Sequence, residues 1–311
     1  MQVHSNLEQL PHFKKAVITI GTFDGVHSGH RQIISQLKKE AQAVQGETVI
    51  ITFHPHPRQV VNAGNKPVKI LTTLDEKTGL LREQGIDHMV VVPFNEFFAE
   101  QSAEEYIKHF LVEKFHPHSI IIGYDHKFGN GRTGNYQLLE KFAPEFNFTV
   151  IEIPEHILDE VTISSTRIRE AIVSHGIETA NHFLGYDYFF EGEVVRGNQL
   201  GRKLGYPTAN LHVDNMEKLI PADGIYAVEA ELKNEGKIMK GMMSIGLRPT
   251  INDDKIRTVE VNIFDFDKDI YGDILKVYVK HFIRLEEKFD TLEQLVKKID
   301  QDKAVSLKLL G

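Results

Sequence analysis

The chain has 311 residues, 41% of them apolar and 26% charged, with a net charge of −8 and no cysteine. This composition supports one large or two ordinary cores and is not that of a disordered chain. It excludes disulfides and thiolate chemistry, argues against broad nucleic-acid binding, and offers no apolar run near the ~18 residues needed to cross a bilayer. The N-terminal MQVHSNLEQLPHFKK has no apolar stretch after a basic start. That argues against a secretory signal and, with the absent cysteine, sets a cytoplasmic expectation.

In chain order, five short apolar runs come first: AVITIGTF (16–23), ETVIITF (47–53), DHMVVVPF (87–94), SIIIGYD (119–125) and FTVIEIP (148–154). They are too continuous for strands with one wet face and suit a parallel sheet covered on both sides. Helical patterns lie between them. RQIISQLKKEAQAV carries apolar residues at 33, 34, 37, 41 and 44, and SAEEYIKHFLVEKF opens with a capping-box Ser102 and Glu105. Strand–helix alternation predicts an α/β doubly wound domain with ligands at the carboxyl ends of its strands. Two short helical stretches come next, TRIREAIVSHG and IETANHFLG. Then the period changes: FFEGEVVRG, GIYAVEAELK, KIMKGMMSIG, TVEVNIFDFD and ILKVYVKHFI are β-rich runs joined by turns. A last segment, TLEQLVKKIDQDKAVSLKLL, reads as a long helix. The second half is thus expected to be an antiparallel β-barrel closed by a C-terminal helix, with the boundary near Gly185, giving domains 1–184 and 185–311.

GTFDGVHSGH (21–30) joins the first run to the first helix. Its glycines, Gly21, Gly25 and Gly29, favour a tight turn and close approach to a ligand. The following helix start suits an anion, and the imidazoles of His27 and His30 can donate to phosphate oxygens. A zinc site would need a third ligand from His54, His56, His116 or His118, and the spacing matches no recurring metal motif. Ordinary loop histidines remain the bland alternative. TFHPHPRQV predicts a stiff, extended loop that could wall a ligand or simply cross over. GNGRTG (129–134) matches G-x-G-x-x-G, with Glu152 near the place of a ribose-binding acid. YDHKF separates the match from the strand end, however, and a flexible glycine loop carrying Arg132 is the better reading.

ISSTRIR (163–169) sets three hydroxyls and Arg167 at a helix start, which is either a polyphosphate clamp or a plain N-cap. GNQLGRKLGYPTAN (197–210) lacks the Walker ending, but its glycines could wrap phosphates. Thr208 and Asn210 are hard oxygen donors suited to Mg²⁺; the alternative is a charged surface turn. Glu260 shares a strand face with Asn262 and could act as general base at a barrel mouth, or be a solvated strand glutamate.

Together, in this order, the motifs resemble those of the bifunctional riboflavin kinase/FAD synthetase family of bacteria. GTFDGVHSGH resembles its HxGH signature, ISSTRIR its second phosphate signature, GRKLGYPTAN its PTAN motif, and VEVNIFDFDKDIYG the stretch holding its catalytic glutamate. TFHPHPR, GYDHKFGNGRTG and FIRLEEKF resemble its flavin-side, glycine-aromatic and closing segments. The resemblance implies that the first domain transfers AMP from ATP to FMN. His27 and His30 would then stabilise the transition state, with Gly21, Phe23, Asp24, Gly29, Asp125, Ser164, Ser165 and Thr166 around the nucleotide. Arg167 would hold the departing pyrophosphate with the three hydroxyls, and Pro55, Pro57, Phe128 and Arg132 would lie on the flavin side. It implies that the barrel phosphorylates riboflavin with ATP. There Gly201, Lys203 and Gly205 would bind phosphates, Thr208 and Asn210 would bind Mg²⁺, and Glu260 would deprotonate the ribityl hydroxyl. His54, Asp125 and Asn262 are the positions of variation: many members carry Asp at the first, Asn or Asp at the second, and often His at the third. Small-molecule substrates, no nucleic acid, no membrane, and a monomer or weak homo-oligomer complete the expectation.

Overall fold

A computed structural model of the chain describes residues 1–61, 68–154, 163–197, 200–233, 235–249 and 255–311. The chain divides into two compact units, Met1–Ser165 and Thr166–Gly311. The division falls ahead of the expected boundary because the helices before residue 185 fasten to strands of the second unit. Asn181 donates to the Val279 carbonyl at 2.9 Å and accepts from the Tyr188 N–H at 2.8 Å.

The first unit holds a sheet of β1 (Gln2–His4), β2 (Val17–Ile20), β3 (Thr48–His54), β4 (His88–Pro93), β5 (Ser119–Gly123) and β6 (Thr149–Ile153). The order is β1-β4-β3-β2-β5-β6 and every pairing is parallel. Five strands fall on the five apolar runs. β1, three residues long, is too short to show a pattern. β2 and β5 are buried along their whole length, as a doubly covered sheet requires. β6 departs from that expectation: it is an edge strand, and Thr149 and Glu152 are exposed. The order reverses beside β2, with β3 on one side and β5 on the other, so a ligand crevice is expected where the loops after β2 and β5 part.

The main helices of this unit are α1 (Ser28–Val44), α2 (Leu74–Glu83) and α3 (Tyr136–Phe146). α1 begins three residues ahead of the expected start at Arg31, which brings Gly29 and His30 into its first turn. α2 was not anticipated, although Thr73 and Glu76 form a capping box at its start. The expected box of Ser102 and Glu105 is present, and a π-helical stretch, Tyr106–Val112, comes directly after it. Tyr106, Ile107, Phe110 and Leu111 pack with Ile18, Ile20, Val49, Ile51 and Val90 in one buried cluster.

α4 (Ser165–Val173) and α5 (Ile177–Leu184) precede the barrel. Its strands are β7 (Tyr188–Val195), β8 (Ala209–His212), β9 (Gly224–Leu232), β10 (Ile238–Pro249), β11 (Lys255–Ile263) and β12 (Ile274–Arg284), closed in the order β10-β11-β8-β7-β12-β9. The short β8 was not read from the sequence, yet it completes closure by pairing with both β7 and β11. The terminal helix α6 (Leu292–Leu309) starts at an N-cap, Thr291. It is tied to β12 by Arg284, whose Nε and Nη2 donate to the buried Asp302 carboxylate at 2.9 and 2.6 Å. Among the described residues no helix is long and apolar enough to cross a membrane.

Candidate active sites

In the first unit, β2 ends at Ile20 and the chain reverses into α1 through residues 21–27. Of the three glycines expected to make this turn, only Gly25 has a positive φ, 84°. Phe23 and Val26 adopt left-handed φ values of 47° and 38°. For a β-branched residue such as Val26 this costs about 1–3 kcal/mol and persists only where the surroundings over-determine it. His27 is the N-cap of α1: its Nδ1 accepts from the His30 N–H at 3.4 Å. The two imidazoles stack at 3.7 Å between centroids with 19° between planes, and Phe23 lies 4.9 Å from His30 on another side. Nδ1 of His30 is buried with no hydrogen-bond partner among the described residues. Burial first, then the neighbouring His27 and Lys77, hold the His30 pKa well below the usual imidazole value, so the ring is neutral at pH 7.

Asp24 serves the turn. Its buried carboxylate accepts from the Leu71 N–H at 2.9 Å and the Thr72 N–H at 3.0 Å, while the Thr72 hydroxyl accepts from the Gly25 N–H at 3.0 Å. This lashes the segment before α2 to the motif. α2 then delivers a residue that sequence reasoning missed, Lys77. Its buried Nζ donates to the Thr22 carbonyl at 2.7 Å and to Thr52 Oγ1 at 3.3 Å. The signal was available in the Thr73–Glu76 capping box, which marks a helix start four residues before Lys77.

The hydroxyl cluster reaches the same turn. Ser165 Oγ donates to the Asp24 carbonyl at 3.0 Å, and a Cβ at Gly29 would lie 3.9 Å from the Ile163 carbonyl. Thr166 and Arg167 come next, in the first turn of α4. The zinc candidates His116 and His118 precede β5 and therefore lie at the amino ends of the strands, the wrong end to join His27. Among the described residues no group of three or more His, Asp or Glu converges on a metal position.

On the side expected for flavin, the chain departs from a simple extended loop. Pro57 begins a short helix, Pro57–Val61, at a position where proline is favoured. Pro55 precedes it, joined to His54 by a cis peptide bond. Phe53 lies 5.4 Å from Phe94 and 5.8 Å from Phe98; Phe98 lies 5.9 Å from Tyr106, and Tyr106 stacks on Phe128 at 5.0 Å. Phe94 and Phe98 were not among the expected site residues. Phe128 is buried over Gly134, so it supports this aromatic row from beneath. GNGRTG is no dinucleotide fingerprint and no loose loop. Phe128 and Gly134 exchange backbone hydrogen bonds at 3.2 and 2.9 Å around a single 3-10 turn, Asn130–Arg132, and the next α-helix waits until Tyr136. Arg132 and Asp125 are exposed there, while His126 has a buried Nε2 with no partner among the described residues and a pKa lowered to about 4 by burial.

In the second unit the PTAN stretch becomes the start of β8, so the site is fixed by strand register. Asn210 pairs with Glu260 and Ala209 with Val261. Thr208 Oγ1 lies 3.3 Å from Glu260 Oε2. Asn262, two residues on, donates its amide to the Pro207 carbonyl at 2.7 Å and so holds the strand entrance. Gly197 is backed by the Asn210 side chain, leaving no room for a Cβ. Upstream, Tyr206 donates its N–H to the Gly201 carbonyl at 2.8 Å, and Gly205 turns the chain with φ 83°. Lys203 ends the short helix Leu200–Lys203; its side chain, like Asn198 and Gln199, lies outside the described residues. On the other flank of Glu260, Ser244 pairs with it across β10 and meets Glu286 of the closing segment at 3.3 Å. The Thr208 hydroxyl and the Asn210 amide oxygen, beside the Glu260 carboxylate, are hard oxygen donors of the kind that fits Mg²⁺.

Comparison with known proteins agrees with this division. A model of the family described as FAD synthetase matches residues 10–167, and one described as riboflavin kinase matches residues 184–310. The chain is 37% identical over 285 residues to a bifunctional riboflavin kinase/FMN adenylyltransferase of Haemophilus influenzae, covering 92% of this chain and 91% of the relative. It is 38% identical over 287 residues to one of Listeria monocytogenes, covering 92% and 90%. A crystal structure from Streptococcus pneumoniae, described as a macrolide-efflux protein, shares the fold with a TM-score of 0.87 and 30% identity over 98% of both chains. The two family models, matched in turn by the α/β unit and the barrel unit, and the relatives at 37% and 38% identity place the chain in the bifunctional riboflavin kinase/FMN adenylyltransferase family.

Proposed function

We propose that the chain makes FAD in two steps, phosphorylating riboflavin with ATP in the barrel and adenylylating FMN with ATP in the α/β unit, with functional domains 1–184 and 185–311. One observation carries the reading. Ser165 is bonded to the Asp24 carbonyl across 141 residues, so the first unit carries the second phosphate motif's serine to the HxGH turn at the switch point of the sheet. In adenylyl transfer an FMN phosphate oxygen attacks the α-phosphorus of ATP in line, and the bond to pyrophosphate breaks. The α1 start, the His27 ring and the neutral His30 ring donate to the pentavalent centre. Ser164, Ser165, Thr166 and Arg167 hold the leaving pyrophosphate. Gly21, Phe23 and Gly29 shape the approach, Asp24 holds the turn, and Asp125 borders the nucleotide. Pro55, Pro57 and Arg132 line the flavin side, backed by Phe128.

In the barrel, Glu260 takes the proton of the ribityl hydroxyl as that oxygen attacks the γ-phosphorus of ATP and the bond to the departing ADP breaks. Gly201, Lys203 and Gly205 wrap the phosphates, and Thr208 and Asn210 hold Mg²⁺. Bound there, Mg²⁺ offsets phosphate charge. The macrolide-efflux description belongs to the streptococcal protein; the residues here point to phosphate chemistry. We place the reaction in the cytoplasm, on small-molecule substrates without nucleic acid, by a monomer or weak homo-oligomer. Incubation with riboflavin, ATP and Mg²⁺ followed by chromatography should yield FMN and then FAD. Neither product would overturn the reading; FMN without FAD would overturn its first-unit half.

A further inference from the structure

Lys77 is a buried cation that none of the motifs includes. Its ammonium has three donors. Two are taken by the Thr22 carbonyl at 2.7 Å and Thr52 Oγ1 at 3.3 Å, and no described residue takes the third. Thr52 Oγ1 also donates to the Thr22 carbonyl at 3.1 Å, so one carbonyl at the mouth of the HxGH turn is gripped twice. No carboxylate oxygen is paired directly with Nζ among the described residues; the charge of Asp24 favours its protonation from farther off, while that carboxylate is occupied by backbone N–H groups. The facing titratable groups are Asp24 from the turn and His30 from the start of α1, stacked on His27; β3 contributes Thr52, which does not titrate. A buried, undercompensated ammonium is costly unless something anionic arrives.

We propose that Lys77 is a positioning residue for adenylyl transfer, locking the Thr22 carbonyl behind the histidine pair and supplying the fixed positive charge that draws ATP phosphates onto His27 and His30. The inference rests on the adenylyltransferase reading of the first unit. Burial lowers the Lys77 pKa to about 8, so in the free enzyme the charge is lost as pH rises through 8. Between about pH 8 and the unfolded lysine value near 10.4 the unfolded chain binds more protons, so this group makes the fold more stable as pH rises while ATP capture weakens. A purely structural lysine would not separate the two in this way.

The test uses the full chain and its built-in control. FMN adenylylation and riboflavin phosphorylation are measured from pH 6.5 to 9.5 with ATP varied, since kcat/KM reports the free enzyme. For the unaltered chain, kcat/KM for ATP in adenylylation should fall about tenfold per pH unit above pH 8. Lys77→Met should be lower by about 100-fold and lack that limb, and Lys77→Arg should restore most activity with the limb moved beyond pH 9.5. Riboflavin phosphorylation should be unchanged in both variants. Unaltered kinetics and limb in Lys77→Met would overturn the proposal. If Lys77→Met loses the thermal transition of the first unit, Lys77→Arg decides, and a limb still at pH 8 in that variant overturns it. Absence of adenylylation by the unaltered chain at every pH overturns the functional reading itself and is seen before any variant is made.

Discussion

The two units build their candidate sites from different materials. In the parallel-sheet unit the site sits where strands stop and a helix starts. Burial has shifted the protonation of groups at or beside it: His30, Lys77 and, in the loop after β5, His126. In the barrel the site sits on strands, and backbone register sets its geometry: Asn210 faces Glu260 because β8 pairs with β11. A helix start offers N–H groups and a dipole but no rigid side-chain frame, so buried histidines and a lysine must supply it. A closed barrel supplies the frame and needs only the oxygen donors. The first site should therefore respond to pH and the second to changes in pairing.

The largest test of that contrast is a crossed pair of substitutions. His30→Ala should lower FMN adenylylation by about 1,000-fold and leave riboflavin phosphorylation intact, while Glu260→Ala should do the reverse; steady-state assays of both reactions on each variant would read it. Loss of both reactions in either variant would mean that the sites are not independent. Next comes Asp302→Ala, which removes the buried carboxylate from the half-buried Arg284 guanidinium, leaving it the Leu285 carbonyl and Glu287, and should destabilise the barrel by about 2–3 kcal/mol. Urea unfolding should show the barrel transition moving to lower denaturant while the first unit keeps its midpoint. Asn262→Ala leaves the Pro207 carbonyl without its donor, a loss of about 1–2 kcal/mol that should raise the KM for Mg·ATP in phosphorylation about tenfold. Asn262→His, which can still donate, should recover part of it.

The last test concerns acid. His126 is neutral in the fold to about pH 4 but protonates near 6.5 when unfolded. Its contribution to stability is present above pH 6.5 and is lost as pH falls toward 4. Urea midpoints of the first unit should drop across that window, and His126→Gln should flatten the drop; equal slopes would rule out His126 as its source.

Much of this was legible from local pattern. Continuous apolar runs gave β2 to β5 because a strand buried on both faces shows no alternation, and the same rule misjudged β6, whose outer side is wet. The capping box of Ser102 and Glu105 was read, while the identical signal at Thr73 and Glu76 was passed over, and Lys77 with it. β8 was missed because four residues are too few to show a period.

By itself the sequence determined the two-part α/β and β architecture, the motif order and the residue types at both sites. Hydrophobic period, capping and turn chemistry act over a few neighbours, so each leaves its mark in the string. Only the tertiary structure decided that Ser165 meets the Asp24 carbonyl, that Lys77 grips Thr22 and that Asn262 holds Pro207. Each of those contacts joins residues 55 or more positions apart. They exist because burial leaves a polar group no water to bond, and which partner it finds is settled by the packing of whole elements.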